Sequence, residues 1–175
     1  NILKQCPMPE GTRFSFMHEP TFDITVHDLY VSMFVGGVLI VPREKDLMAP
    51  HRFIVDQQIE GWISVPSLVT VMQKLKALKP ASLPSLKYSF FCGEPLLVDH
   101  VHDWFQASPN SRVFNLYGPT EATCAFTSYE CIRGRTLKAR NGVVGVGTHF
   151  ADQVSKIVPG PSEGELYLGG SQVSA

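Results

Sequence analysis

Short apolar runs alternate along this chain with longer segments in which apolar residues recur at helical spacing. Residues 1–10 hold two prolines and a cysteine and read as a linker. Residues 13–17, Arg-Phe-Ser-Phe-Met, alternate polar and apolar positions and predict a strand. His18-Glu19-Pro20-Thr21 breaks it. Asp23 or Thr25 can then cap a helix through about residue 35, in which Val26, Leu29, Tyr30, Met33 and Phe34 recur every three or four positions. Gly36-Gly37 ends that helix. Residues 38–41 form a continuous apolar run, typical of a strand buried on both faces, and Pro42 stops it.

The same unit follows three more times. A helix from about residue 50 to 59 precedes a strand at 62–65. A helix over 67–78, with Leu68, Val71, Met72, Leu75 and Leu78 on one stripe, precedes a strand at 88–91. A helix from about 97 to 106 precedes a strand at 113–115. Helices alternating with short apolar strands imply an α/β protein with a parallel-type sheet flanked by helices. After Glu121 the pattern changes. Residues 124–130 read as a strand, 133–142 as a polar, basic, solvated loop, and from Val143 onward short strand-like runs alternate with Gly and Pro. The expected division is an α/β subdomain over 1–132 and the start of a β-rich one over 133–175.

Composition narrows the class. The 175 residues are 44% apolar and 18% charged, which suits a globular domain with a real core. A formal net charge of -1 offers no broad basic field for nucleic acid or anionic membrane. No apolar run approaches the ~20 residues of a membrane span, and no secretory signal is visible, so a cytoplasmic protein is expected. Cys6, Cys92, Cys124 and Cys131 show no metal-type spacing and read as buried thiols rather than disulfides. The chain starts at Asn1 rather than Met and stops at Ala175, just after Gly169-Gly170, so a piece of a longer polypeptide is expected.

Chemistry concentrates in residues 114–123, Phe-Asn-Leu-Tyr-Gly-Pro-Thr-Glu-Ala-Thr. An apolar run ends there and Gly118-Pro119 forces a turn. Into that turn are packed a ring that can stack on a base (Tyr117), a hydroxyl that can bond a phosphate oxygen (Thr120) and a carboxylate that can hold Mg²⁺ (Glu121). Loops at the carboxyl ends of strands are where open α/β sheets bind ligands.

The string resembles the signature of the adenylate-forming enzymes, a family that includes amino-acid adenylation domains of nonribosomal peptide synthetases, acyl-CoA synthetases and luciferases. Three further strings stand in that family's order: Phe22-Asp23-Ile24-Thr25, Cys92-Gly93-Glu94-Pro95-Leu96, and Gly164-Glu165-Leu166-Tyr167-Leu168-Gly169-Gly170. The resemblance implies the family's flavodoxin-like subdomain, with ATP and Mg²⁺ as cofactors. It implies an amino acid substrate, a carrier protein whose phosphopantetheine thiol accepts the product, and the rest of the adenylating enzyme as partner. It carries roles to matching positions. Thr120 and Glu121 are the expected catalytic pair, with Glu121 on the metal. Gly93, Glu94, Pro95, Asn115, Tyr117, Gly118 and Thr120 are expected along the nucleotide, Tyr117 stacking on adenine and Thr120 bonding the α-phosphate. Asp23 is expected to pair with the substrate's α-ammonium group, because a buried ammonium needs a counter-charge. A plain helix cap is its alternative reading. Ile24, His27, Ser64, Phe90, Cys92, Leu116, Cys124 and Ala125 are expected to line the amino-acid pocket, although His27 could equally be a helix-surface histidine and packing alone would account for Phe90 and Leu116.

Within the family the likeness is greatest to ligases that load D-alanine onto a carrier protein. His27 departs from that branch, which tends to carry an apolar residue there, and this leaves room for a larger or polar substrate side chain. The run from Asp152 to Ser162 also looks shorter than the branch's usual hairpin. The family's phosphate loop, ribose-binding Asp and late lysine have no counterpart in the 175 residues, so the chain alone is expected to be catalytically inactive. Two alternatives are a non-catalytic module that holds amino acid or AMP, and a relative of acyl-CoA synthetases acting on a non-amino acid.

Overall fold

A computed structural model describes residues 2–160 and 163–174. Asn1, Ser162 and Ala175, which figured in the expectations above, lie outside the described residues. The strands, in chain order, are β1 (Arg13–Ser15), β2 (Val38–Ile40), β3 (Gly61–Ser64), β4 (Tyr88–Phe91), β5 (Arg112–Tyr117), β6 (Thr127–Cys131), β7 (Ala139–Arg140), β8 (Val143–Val144), β9 (Thr148–His149), β10 (Gln153–Pro159) and β11 (Gly164–Gly170). The helices are α1 (Ile2–Gln5), α2 (Ile24–Phe34), α3 (Glu44–Leu47), α4 (Pro50–Asp56), α5 (Ser67–Lys74) and α6 (Val98–Ala107).

One seven-stranded sheet, in the order β2-β1-β3-β4-β5-β6-β9, forms the frame. β1 to β5 pair in parallel, while β6 and β9 run antiparallel at one edge. This is the mostly parallel α/β sheet that the alternation of helices and apolar runs predicted. The runs are continuously apolar because each strand serves two cores. On one face Trp62 and Phe91 pack with Phe53, Met72 and Trp104 from the helices. On the other, Ile63, Phe90, Phe114 and Leu116 pack with Phe14, Ile24 and Val31. Alternate residues of β3 and β4 thus supply opposite layers.

Three expectations change. The linker over residues 1–10 includes the short helix α1, with Ile2 and Cys6 buried against the second core. The basic loop ends in a small antiparallel pair, β7 with β8, and Val143 bridges to Leu97 ahead of α6. Residues beyond 132 also continue the main body: β9 is the seventh strand, and Val144 and Phe150 are buried in the two cores. The β7–β8 pair and the β10–β11 hairpin each form a two-stranded sheet of their own.

The largest difference lies in α2. Its buried residues are Ile24, Thr25, Asp28, Val31 and Ser32. The apolar residues that announced the helix face outward: Leu29 is 41% exposed, Met33 66% and Phe34 79%. The stripe on α5 is likewise only half buried, with Met72 inside and Leu75 outside. Among the described residues no helix is long and apolar enough to cross a membrane.

Candidate active site

The site lies at the carboxyl ends of β3, β4 and β5. β5 delivers Tyr117 to the sheet's edge, and the chain then turns through Gly118. A Cβ on Gly118 would stand 2.7 Å from the Cys124 carbonyl oxygen and 2.8 Å from the Phe126 nitrogen, so only glycine lets the returning strand come this close. The Phe126 N–H closes the loop by donating to the Tyr117 carbonyl at 2.8 Å. Inside the loop a single 3₁₀ turn, Thr120–Ala122, presents Thr120 and Glu121 to solvent and buries Ala122. Thr123 (φ 58) and Cys124 (φ 67) then take left-handed backbone, which turns the chain back toward the sheet.

Asp23 meets this corner from ninety-seven positions away. The Thr120 hydroxyl donates to the Asp23 carboxylate at 2.7 Å. Asp23 does stand at the N-cap of α2, but its side chain makes no capping hydrogen bond. The front carboxylate and the turn after β5 therefore share one site.

On the other side of Tyr117 lies a cleft of about 320 Å³. Gly93, Glu94, Pro95, Asn115, Tyr117 and Gly118, all expected along a nucleotide, line it together. Tyr117 is 37% exposed, which leaves ring surface free to stack. Gly93 has φ 88, a left-handed conformation that takes the chain from β4 into the cleft wall. Two of the six are tied up by the fold. The Glu94 carboxylate accepts from the Ser67 amide at 2.8 Å and the Ser67 hydroxyl at 3.1 Å, so it also caps α5. The Asn115 amide donates to the carbonyls of Val144 and Gly145 at 3.3 and 3.1 Å. That bond holds the opposite wall, Val143, Val144 and Val146, against β5. Sequence reasoning missed this apolar wall; its one local sign was the Val143-Val144 run.

Ile24, Phe90, Cys92, Leu116 and Cys124 gather in the second core, with Ala125 packed against them. Ser64 does not join them. It shares a face of β3 with Trp62, whose indole N–H donates to its hydroxyl at 3.0 Å, so strand alternation turns its side chain to the opposite side of the sheet. Val65, packed on the second core, faces the site instead. His27 is not on the helix surface. Its side chain is buried, and its ring lies 5.2 Å from that of Phe90, which stacks in turn on Phe114 at 5.2 Å. The space that a polar substituent at this position left open is filled by the imidazole itself.

Neither ring nitrogen of His27 has a hydrogen-bond partner, nor has one carboxylate oxygen of the neighbouring Asp28. Burial drives the His27 pKa down to about 4 and the Asp28 carboxyl well above its usual range. Each is thereby pushed to its neutral form, and the 3.9 Å contact between them is not an ion pair. His18, beyond β1 and tilted against Phe22 at 5.8 Å, is another site-side histidine that the sequence did not single out. Among the described residues no three His, Cys, Asp or Glu side chains cluster to hold a metal. Mg²⁺, which keeps few protein ligands, would find one exposed carboxylate in Glu121.

These features define an open α/β domain with a cleft and a carboxylate–hydroxyl contact on either side of one turn at the sheet's carboxyl edge, the place where open α/β sheets bind ligands. A family model for AMP-binding enzymes matches residues 2–175, and the chain belongs to that family. It is 32% identical over 183 residues to the D-alanine–D-alanyl carrier protein ligase of Listeria monocytogenes serotype 4a (strain HCC23), covering 99% of this chain and 36% of that protein. It superposes with a TM-score of 0.89 and 34% identity on the Vibrio cholerae adenylation domain AlmE in complex with glycyl-adenosine-5'-phosphate, covering 99% of this chain and 34% of that one. With IdnL7 the TM-score is 0.95 at 29% identity, again over 99% of this chain and 36% of the other. The chain thus spans about a third of the length of the relatives it matches.

Proposed function

We propose that the polypeptide carrying this chain activates a small α-amino acid with ATP and passes it to the phosphopantetheine thiol of a carrier protein in the cytoplasm. The hydrogen bond from Thr120 to Asp23 carries this reading, because it joins an ammonium-type counter-charge to the turn that would face the phosphate. An incoming α-ammonium group would take over the Asp23 carboxylate and free the Thr120 hydroxyl for an α-phosphate oxygen. The substrate carboxylate would then attack the α-phosphorus, and the bond to pyrophosphate would break. Mg²⁺ on Glu121 would offset charge on the transferring phosphoryl group. The base would lie in the cleft between Tyr117 and the valine wall.

Two observations favour a short substrate side chain. The His27–Phe90–Phe114 rings fill the floor of the wall, and Phe90, Cys92 and Leu116 are each at most 3% exposed. Relatives are named for D-alanine and solved with a glycyl adenylate. The cleft lining contains no lysine or arginine, so the charge that must meet the phosphates comes from elsewhere in the polypeptide.

ATP–pyrophosphate exchange tests this reading. A longer polypeptide containing the chain should exchange with glycine or alanine, with preference between the alanine enantiomers read from the same panel, and fail with phenylalanine or lysine. Asp23→Ala should lower exchange at least a hundredfold. The 175 residues alone should give none. Undiminished exchange in the Asp23→Ala protein would remove the ammonium-partner role.

A further inference from the structure

Residues 133–142 form the basic loop that the proposed chemistry does not use, and its last two residues have a reactivity of their own. β7 pairs with β8 through Arg140 and Val143, so Asn141 and Gly142 alone make the turn between them. Both take left-handed backbone, φ 51 and 78, as a two-residue Asn-Gly hairpin turn requires. Both are exposed.

In an Asn-Gly pair the side-chain carboxamide carbon is an electrophile one ring closure away from the next backbone nitrogen. A hydrogen bond that holds either group, or a side chain on the second residue, hinders that closure. Neither obstacle is present here. The Asn141 carboxamide and the Gly142 N–H make no hydrogen bond to the described residues. Nothing lies within 4 Å of where a Cβ on Gly142 would stand. Attack requires the turn to open, and β7 and β8 have only two residues each, with Ala139 and Arg140 exposed. So short a pair opens locally. The other described asparagines are restrained. Asn110 donates to the Pro84 carbonyl at 3.0 Å, and the Ser111 amide that follows it donates to the Ser108 carbonyl at 3.1 Å. Asn115 is buried and donates to the Val144 and Gly145 carbonyls.

We propose that Asn141-Gly142 is a site of spontaneous covalent modification, at which the turn converts to an isoaspartyl-glycine linkage. The Gly142 nitrogen attacks the Asn141 Cγ and forms a C–N bond. The bond from Cγ to the side-chain nitrogen breaks, and that nitrogen leaves as ammonia with the Gly142 amide proton, passed through water. The product is a five-membered succinimide. Water then opens either carbonyl: one opening gives aspartate, and the other leaves the main chain running through the side chain as isoaspartate. One water is consumed and one ammonia released, with no change of oxidation state. The isoaspartyl form lengthens the main chain by a methylene and sets a carboxylate beside Arg140.

This turn is tied to the cleft beside Tyr117. The Val98 amide donates to the Gly142 carbonyl at 2.9 Å, the Val144 amide donates to the Leu96 carbonyl at 2.8 Å, and Val143 bridges to Leu97. A longer main chain at residue 141 would shift Val143 and Val144, which form the apolar wall of that cleft. This consequence rests on the function proposed above; the modification does not.

The folded 175-residue chain is incubated in mildly alkaline buffer beside a synthetic peptide of residues 137–146, and both are mapped by mass spectrometry. The Asn141 peptide should gain the mass difference between an amide and an acid and split into two products. One of them should accept a methyl group from S-adenosylmethionine through an isoaspartyl methyltransferase. The rate in the folded chain should lie within about tenfold of that in the free peptide. Peptides bearing Asn110 and Asn115 should stay unchanged. Gly142→Ala should slow the reaction about tenfold, because a Cβ hinders the approach of the nitrogen. If that variant fails to fold, the wild-type map decides by itself. A folded-chain rate more than about tenfold below the peptide's, a first product at Asn110 or Asn115, or aspartate without isoaspartate would each overturn the proposal. In the longer polypeptide, modification at Asn141 should raise the KM for ATP about threefold. An unchanged KM would sink the link to the cleft and leave the modification standing, whereas exchange with no amino acid would remove the proposed function alone.

Discussion

Asp23 and His27 occupy one face of α2, one turn apart, and the fold treats them oppositely. Asp23 stays partly open to solvent and holds a hydroxyl across the site, whereas His27 is enclosed with both ring nitrogens unmet. Enclosure has a sign in pH. The folded pKa of about 4 lies below the ordinary 6.5, so the stability linked to His27 is intact above pH 6.5 and drains away as pH falls toward 4. Between pH 7 and pH 5 this amounts to about 2 kcal/mol. Asp28 acts in the contrary direction, because its raised pKa makes the folded state the better proton binder in that window. The wild-type curve sums the two, so a variant is needed to separate them. His27→Met keeps the packing volume against Phe90 and removes one titration. Relative to wild type, it should be more stable at pH 5 than at pH 7 by about 2 kcal/mol, read from urea unfolding at both values. An equal difference at the two pH values would show that His27 does not titrate with unfolding.

At the scale of elements, the repeating units and the corner after β5 were legible because both are local. An apolar run bounded by Gly or Pro marks a strand wherever it falls, and Tyr-Gly-Pro-Thr-Glu carries its turn and its chemistry within five residues. The illegible parts depended on partners distant in sequence. Ser64 was placed on the wrong face because one position decides which layer a strand residue sees, and only the Trp62 indole shows which. The valine wall was missed because it is held by Asn115 from another strand. α2 is the sharpest case. Periodicity established that it has an apolar face and said nothing about what covers it. Val26, Leu29, Tyr30, Met33 and Phe34 lie exposed on a helix that buries Asp28 and Ser32. A stripe of this kind promotes self-association of the isolated chain. Met33→Lys with Phe34→Lys should therefore shift the 175-residue chain toward monomer in sedimentation velocity and leave its far-ultraviolet circular dichroism unchanged. Loss of helical signal would mean the stripe is needed for folding.

For the whole molecule, stability should be unevenly distributed, and the β10–β11 hairpin is the place to look. The central strands β3, β4 and β5 have partners on both edges and cores on both faces. The hairpin pairs only with itself. Six of the seven residues of β10 are exposed, including Val154, Ile157 and Val158, and Leu166 and Tyr167 are exposed on β11. A two-stranded sheet without a packed face is marginal in water. Gln153 is the exception: it is buried at the base, donates to the Ser171 hydroxyl at 3.1 Å and accepts from the Gln172 amide at 3.3 Å. It thus links the hairpin to the 171–174 segment that braces Thr123 and Glu121. Native-state hydrogen exchange should show amides 154–158 and 164–169 exchanging at least a hundredfold faster than those of β3 to β5, through local opening that spares the core. Gln153→Ala should carry that opening into residues 121–125 and raise their exchange, because the brace loses its anchor. Faster exchange confined to the hairpin would show that the turn bearing Thr120 and Glu121 holds its shape without help from the C-terminal strands.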